Sequence, residues 1–507
     1  MTKLEDDIKA ALGHDEDLYA FPNYPLYSLE YVKRYNLDID TTPAAVTFPK
    51  TTAHVAAIVK AAAANGTKVQ GKSGGHSYAN FSSPDKGVVV DLKHFQGYTI
   101  DTTTWQATVG AGVKLGNLTK FMFDSHKRAM AHGVCPDVGI GGHATIGGLG
   151  PSSRLWGAAL DHILEVEVVL ADGSIIRASE KQNSDIFWAL KGAGGSFGII
   201  TEFVVRTEEA PDALVQYSFS FTTGSWSSIA PVFKAWQKFV SDKSLTRKFA
   251  STANVTAAGL IITGTYFGTQ AEYDAVMKGF TFPGNASSHT VHVKDWLGAV
   301  SNWWEQFFLL IGGGIPARSY AKTLTFNGAD LIPDSVVDKM FQYMENTEKG
   351  TLLWFAIFDL AGGAVNDVAL DATAYAHRDA LFYLQSYAIE LNPLEAVSPK
   401  IKGFLTGLNK VIEDGMKVAG FNEDLGSYPG YVDLELKTPQ KDYWRYNLPR
   451  LEEIKTKYDP KDIFHNPQSV QPAGQPSTQV HPVEKPQTPV EKKKKMTLIE
   501  KLKKLLC

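Results

Sequence analysis

Cysteine is nearly absent. Of 507 residues only Cys135 and the terminal Cys507 carry a thiol, so no disulfide framework holds the fold and bridges say nothing of the redox compartment. Long apolar runs are missing too, since the longest, Phe307 to Ile315, is far shorter than the roughly 20 residues a membrane-spanning helix needs. The first residues, Met1 to Gly13, are charged and lack the apolar core of a signal peptide, which leads to the expectation of an intracellular protein. Asn-x-Ser/Thr triplets, among them those at Asn80, Asn117, Asn254 and Asn285, pull weakly toward a glycosylated, secreted one. An excess of positive charge is also lacking: 50 Lys and Arg stand against 54 Asp and Glu, a net −4. The basic residues concentrate after Glu484, leaving about −9 for the remainder, which argues against non-specific nucleic-acid binding.

Glycine, by contrast, is plentiful. Three glycine-rich stretches fall in the amino-terminal region, near residues 71–78, 139–150 and 192–198. The first closes a helix–strand–turn unit: Thr51 or Thr52 caps an Ala-rich helix that stops at Asn65-Gly66, and Val69 begins a strand. Its turn, Lys72 to Tyr78, lacks the spacing of the phosphate-binding P-loop and of G-x-G-x-x-G. Further on, Ile163 to Leu170 and Ser174 to Ala178 read as a hairpin about Asp172-Gly173. Singly, each loop could be a set of turns. Together they suit a ligand with a diphosphate and a flat ring, which needs backbone N–H groups and close backbone approach.

After Pro211 the texture changes to aromatic-rich strands (Val215 to Phe221, Leu260 to Phe267, Leu352 to Leu360) alternating with helices, one expected over Thr373 to Leu391. Tyr443 to Tyr458 reads as a last long helix stopped by Asp459-Pro460. Beyond Gln471 comes a Pro/Gln/Ser-rich linker and a basic amphipathic tip, Lys492 to Cys507. The tip could touch an anionic membrane surface weakly, or simply be solvated.

The runs Ser73-Gly74-Gly75-His76-Ser77-Tyr78 and Gly133-Val134-Cys135-Pro136-Asp137-Val138-Gly139-Ile140-Gly141-Gly142-His143 resemble the two flavin-attachment segments of berberine-bridge-enzyme-like oxidases. That family lies within the vanillyl-alcohol-oxidase superfamily and includes the fungal glucooligosaccharide and chitooligosaccharide oxidases. Gly194 to Ile199, Tyr428 to Asp433 and Tyr458 through Ser469 add to the resemblance, which spans roughly Pro43 to Gln471.

It implies an α+β chain with a two-domain PCMH-type FAD-binding fold. The FAD domain would cover residues 1–210, an inserted substrate domain 211–425 with its sheet covered by helices, a returning segment 426–472, and the linker and tail 473–507. The cofactor would be FAD, bonded through its 8α carbon to His76 and through C6 to Cys135, whose thiolate would be reactive where nearby dipoles lower its pKa. Other flavin contacts would come from Lys72, Ser73, Gly74, Gly75, Ser77, Val138, Gly139, Gly142, His143, Gly148, Gly194, Gly195, Gly198, Ile200 and Gln468. Val138, three after the tethering cysteine, goes in this family with oxidases that pass electrons to O2. Tyr431 matches the family's base and Asp359 the carboxylate that activates it, with Asp367 a second candidate; Tyr78, Tyr428, Gln385, Phe355 and Ile357 would wall the substrate.

A zinc reading of His132, Cys135 and His143 lacks a completing ligand. The resemblance implies oxidation of an alcohol or hemiacetal, with a reducing-end sugar as lead substrate and hydrogen peroxide as coproduct, by a monomer. Related sugar oxidases carry Trp-x-Gln-x-Asp where this chain has Phe355-Ala356-Ile357-Phe358-Asp359. That change keeps open a more apolar small metabolite, oxidised or cyclised. A flavin carrier acting through its basic tail is the non-enzymatic alternative.

Overall fold

In the computed structural model residues 2–475 are described, apart from 223–224, 312–314, 329–330 and 422–424. The expected linker and tail lie outside the described residues from 476 on.

Three main sheets organise the chain. A four-stranded sheet runs in the order Tyr19–Ala20, Ala45–Thr47, Val88–Asp91, Val69–Lys72, the last three parallel. Parallel strands are covered on both faces, which is why Val88-Val89-Val90 shows no polar alternation. The Thr52–Ala64 helix packs beside it, its first turn closed by the Thr51 hydroxyl accepting from the His54 N–H at 3.2 Å. Residues Val69–Lys72 then deliver loop 73–78 from a strand end.

A five-stranded antiparallel sheet follows, in the order Tyr98–Asp101, Gln106–Gly110, Ile199–Arg206, Ile163–Val169, Ile175–Ser179. Its expected hairpin forms, with Gly173 at φ 77° in the turn.

The third sheet has seven antiparallel strands: Ser288–Lys294, Leu214–Phe221, Gly259–Tyr266, Phe249–Thr256, Trp354–Leu360, Ala380–Ile389 and Ser319–Asn327. Helices Ala230–Val240, Asp334–Asn346 and Pro399–Val418 bury its outer face, where Trp354, Ala356, Phe358, Phe382 and Leu384 join one core with Phe233, Phe341 and Phe404. Because side chains alternate along a strand, Ile357, Asp359, Tyr383 and Gln385 point the other way, toward the amino-terminal glycine loops.

Two expected elements differ. Thr373 to Leu391 holds the strand Ala380–Ile389 instead of a helix. Residues such as Ala, Leu and Gln favour helices locally, but this segment pairs with strands on both sides, and that pairing outweighs propensity. The last helix is interrupted: Pro439–Trp444 and Leu448–Tyr458 flank a tight turn over Arg445–Asn447, where Arg445 adopts φ 46° and Pro449 opens the second helix.

Candidate active site

A cavity of ≈460 Å³ lies between the glycine loops and the inner face of the seven-stranded sheet. Loop 73–78 and loop 135–143 form one wall, pressed together backbone to backbone. A Cβ on Gly74 would sit 2.4 Å from the Gly139 nitrogen and 2.6 Å from the Asp137 carbonyl, and one on Gly139 only 2.0 Å from Ser73 Oγ. These two glycines therefore serve the contact that brings His76 and Cys135 into the same cavity. The backbone N–H groups of Gly74, Gly75, His76 and Ser77 donate to no acceptor among the described residues. A row of unpaired amides beside a cavity suits the oxygens of a diphosphate, so the chain's own backbone fits the phosphate end of FAD. Gly142 and Gly195 also line the space, and a Cβ on either would meet nothing closer than 3.7 Å.

Opposite these loops, Asp359 stands near the end of Trp354–Leu360, in register with Thr252 on one side and Tyr383 on the other. Tyr431 reaches it from loop 426–433, its hydroxyl donating to Asp359 Oδ2 at 2.8 Å. The loop is braced by the Tyr428 hydroxyl, which accepts from the Gly148 N–H at 3.0 Å, and by edge-to-face packing of the Tyr428 and Tyr431 rings. Lys322 pairs with buried Asp433 at 2.8 Å and secures the far end. Burial raises the Asp359 pKa to about 6, although the bond from Tyr431 acts against the rise. The Tyr431 phenol is pushed well above its ordinary value by burial and by the neighbouring carboxylate. Asp367 forms an exposed ion pair with Arg247 at 2.9 Å and is not among the cavity residues, which removes it as the alternative carboxylate.

Of the other expected residues, Ser73, Gly75, Ser77, Tyr78, Val138, His143, Gln385, Tyr428 and Ile357 line this cavity. Gln385 donates to the Tyr78 hydroxyl at 2.6 Å, so these two walls are tied together. The His143 Nε2 accepts from the Gly133 N–H at 2.9 Å, and since an amide can only donate, the neutral ring carries its proton on Nδ1.

Seven expected contacts lie off the cavity. Lys72 is buried away from it and donates to the Val32 carbonyl at 2.7 Å. Gly148 holds Tyr428, while Gly194 and Gly198 admit Thr145 and Val168 where a Cβ would clash. Ile200 is a sheet residue opposite Val168. Gln468 bridges the Tyr443 hydroxyl and the Asp433 carbonyl. Phe355 stacks behind Tyr387, with centroids 5.2 Å apart.

The expectation of a thiolate favoured by nearby dipoles also fails. Burial, with a smaller contribution from Asp137, pushes the Cys135 thiol up to about 12. The zinc reading finds no support: among the described residues no group of three His, Cys, Asp or Glu could hold a metal, and His132 is engaged with Thr119 and the Gly133 carbonyl. Asn80 and Asn254 are buried and hydrogen-bonded, which rules out these two sequons as glycan acceptors.

Sequence reasoning missed the polar row Thr252, Asn254, Thr263 and Thr265, as well as Trp303 and Tyr35, all of which line the cavity. The row had a signal: Thr252 and Asn254 alternate with Ala253 and Val255, a small polar face on an otherwise apolar strand. Trp303 and Tyr35 had none, because only the fold brings them in.

Residues 43–179 match the FAD binding domain family, and residues 427–471 match the family described as berberine and berberine like. The chain is 39% identical over 477 residues to the FAD-linked oxidoreductase sorD of Penicillium rubens, covering 91% of this chain and 97% of that protein. It is 33% identical over 456 residues to the xylooligosaccharide oxidase of Thermothelomyces thermophilus, covering 87% and 89%. A solved glucooligosaccharide oxidase from Acremonium strictum, described with a 6-S-cysteinyl, 8α-N1-histidyl FAD, superposes with a TM-score of 0.82 at 30% identity, over 93% of this chain and 99% of that one.

Fold and family match are those of an FAD-dependent oxidoreductase with the two-domain α+β architecture of the PCMH type. The chain belongs to the berberine-bridge-enzyme-like family of FAD-linked oxidoreductases. It is thus an enzyme, and the alternative of a non-catalytic flavin carrier is set aside.

Proposed function

We propose that this enzyme oxidises a hydroxyl-bearing small molecule in the cavity between loop 73–78 and Asp359, with FAD tethered to His76 and Cys135 and O2 as final acceptor, yielding hydrogen peroxide. The observation that carries the reading is the Tyr431–Asp359 hydrogen bond, set in the same cavity as both candidate tethers.

FAD supplies the two-electron acceptor. The protein's part is proton management. A phenol whose pKa burial has raised is a poor base alone, but one that donates to an ionised carboxylate can pass its proton on as it takes another from the substrate hydroxyl. Tyr431 is the group facing substrate, and Asp359 is where the proton comes to rest. On this reading Val138, which lines the cavity three residues after Cys135, controls the approach of oxygen. His76 is held neutral by burial, with its pKa near 4, so a ring lone pair is available for bonding at ordinary pH.

The lead substrate is a sugar hemiacetal oxidised to a lactone, the class suggested by the oligosaccharide oxidases among the relatives. The wall supports a second reading. Asn254 donates to Thr252, Thr263 and the Ile261 carbonyl, and Gln385 to Tyr78, so much of the polar row is already satisfied. Ile357 presents hydrocarbon beside it. A small hydroxylated metabolite with an apolar body fits this wall.

The test is peroxide release, and anaerobic flavin bleaching, from purified protein given reducing oligosaccharides in one panel and neutral hydroxylated ring compounds in another. Turnover of the first supports the lead class, and turnover of the second alone replaces it. If neither bleaches the flavin, alcohol oxidation is wrong. Flavin that washes out on acid precipitation of the unmodified protein would end the tether claim.

A further inference from the structure

Histidines that must present one nitrogen in a set direction are usually oriented by a hydrogen bond at the other. His76 has none: among the described residues neither imidazole nitrogen is hydrogen-bonded. What lies against its ring is Tyr35, with centroids 4.8 Å apart and planes inclined by 33°. Tyr35 is buried, lines the cavity, and on its other side stacks with Tyr78 at 6.0 Å and 15°.

Its backbone is fastened to the loop that carries His76. Asn80, in the left-handed conformation at φ 55°, accepts from the Tyr35 and Asn36 N–H groups at 3.0 Å each and donates to the carbonyls of Asn36 and Ile39. Asn36 in turn donates to the Tyr78 carbonyl at 2.8 Å and to the Ser319 carbonyl at 3.1 Å. Two reciprocal side-chain amides thus lock Tyr35 to loop 73–78 and to the edge of the substrate sheet.

From this we infer that Tyr35 is a positioning residue for flavin attachment, its ring face holding the His76 imidazole so that one nitrogen is presented to the 8α carbon. The inference rests on the His76 tether proposed above. In that attachment an N–C bond forms at 8α, one C–H bond of the methyl group and the imidazole N–H break, and the two hydrogens' worth of protons and electrons pass to O2 as hydrogen peroxide. A ring–ring contact of this kind is worth a factor of roughly 2 to 10 in how often the imidazole holds one orientation.

The experiment isolates the histidine tether in a Cys135→Ser protein. Each variant is purified after brief expression and incubated with FAD in air. The flavin surviving acid precipitation is followed over time as a fraction of all flavin bound, so weaker FAD binding or partial unfolding does not masquerade as slower attachment. Tyr35→Leu is expected to slow attachment roughly 2- to 10-fold at equal flavin occupancy, and Tyr35→Phe, which keeps the ring face, to restore the parent rate. Equal rates for Tyr35→Leu and the parent, with attachment abolished by His76→Ala, would overturn the role of Tyr35 and leave the tether standing. A Cys135→Ser parent without covalent flavin, or covalent flavin that persists in Cys135→Ser, His76→Ala, would overturn both.

Discussion

An ionised carboxylate away from bulk water is expensive, and Asp359 shows the cost in a pKa raised to about 6. With the folded value above the unfolded one, the group favours the folded state below the unfolded pKa, and that contribution is lost as pH rises through 6. A rise from the ordinary 3.8 to about 6 corresponds to about 3 kcal/mol of stability lost by pH 8. Asp359→Asn keeps an acceptor for Tyr431 without the charge. It is expected to melt higher than the parent at pH 8, by up to about that free energy, and no higher at pH 4; thermal melts at the two pH values measure this. The same variant should lose turnover by about 100-fold or more, since no carboxylate remains to take the proton. In the parent enzyme kcat should fall on the acid side with an apparent pKa near 6, where Asp359 becomes protonated; a flat profile from pH 5 to 8 would remove Asp359 from the proton path.

The glycine loops make their demand at the level of elements. Their density in the sequence suggests ligand contact, yet Gly74 and Gly139 are required because loops 73–78 and 135–143 lie within van der Waals contact of each other. Gly74→Ala would force a methyl group against the Gly139 nitrogen and the Asp137 carbonyl, both backbone atoms that cannot swing away. The expected result is a destabilisation of about 2 kcal/mol or more together with reduced covalent flavin, because the clash separates His76 from Cys135. Gly142→Ala, where a Cβ meets nothing within 4 Å, should leave stability nearly unchanged. Comparing denaturant midpoints of the two variants checks the assignment. Strand Trp354–Leu360 shows the converse: its alternation is readable, since Trp354, Ala356 and Phe358 face the helices and Ile357 and Asp359 the cavity. Strand Ala380–Ile389 lacks such a signal because tyrosines on its inner face are as apolar as its outer residues.

Over the whole molecule, the cavity exists because two cores meet there, one built on the parallel and five-stranded sheets and one beneath the seven-stranded sheet. Arg154 crosses between them: buried, it donates to the Phe249 carbonyl at 2.7 Å and to the Ala361 carbonyl, so it ties the loop after Gly150 to two strands of the substrate sheet. Arg154→Met should leave two buried carbonyls unpaired and cost about 2–4 kcal/mol. KM for any substrate of the family reaction should rise more than the flavin content falls, since the FAD side keeps its own core. Titrating substrate against variants of matched flavin content reads the difference.

The sequence alone determined what depends on local chemistry. Helix caps, the Asp172-Gly173 hairpin, the glycine-rich segments around His76 and Cys135, and the Tyr428-to-Asp433 run are each legible within a few residues, because short-range sterics and side-chain type dictate them. Tertiary structure decided what depends on distant segments meeting. Tyr431 and Asp359 are 2.8 Å apart only because loop 426–433 is fastened across the sheet edge. Lys72, Ile200 and Gln468 lie off the cavity, each engaged with a partner from a distant segment. Tyr35 entered because two asparagine amides brought it against His76. Burial, which sets the charge state of Asp359, His76 and Cys135, is a property of those long-range contacts, and no local pattern of residues encodes it.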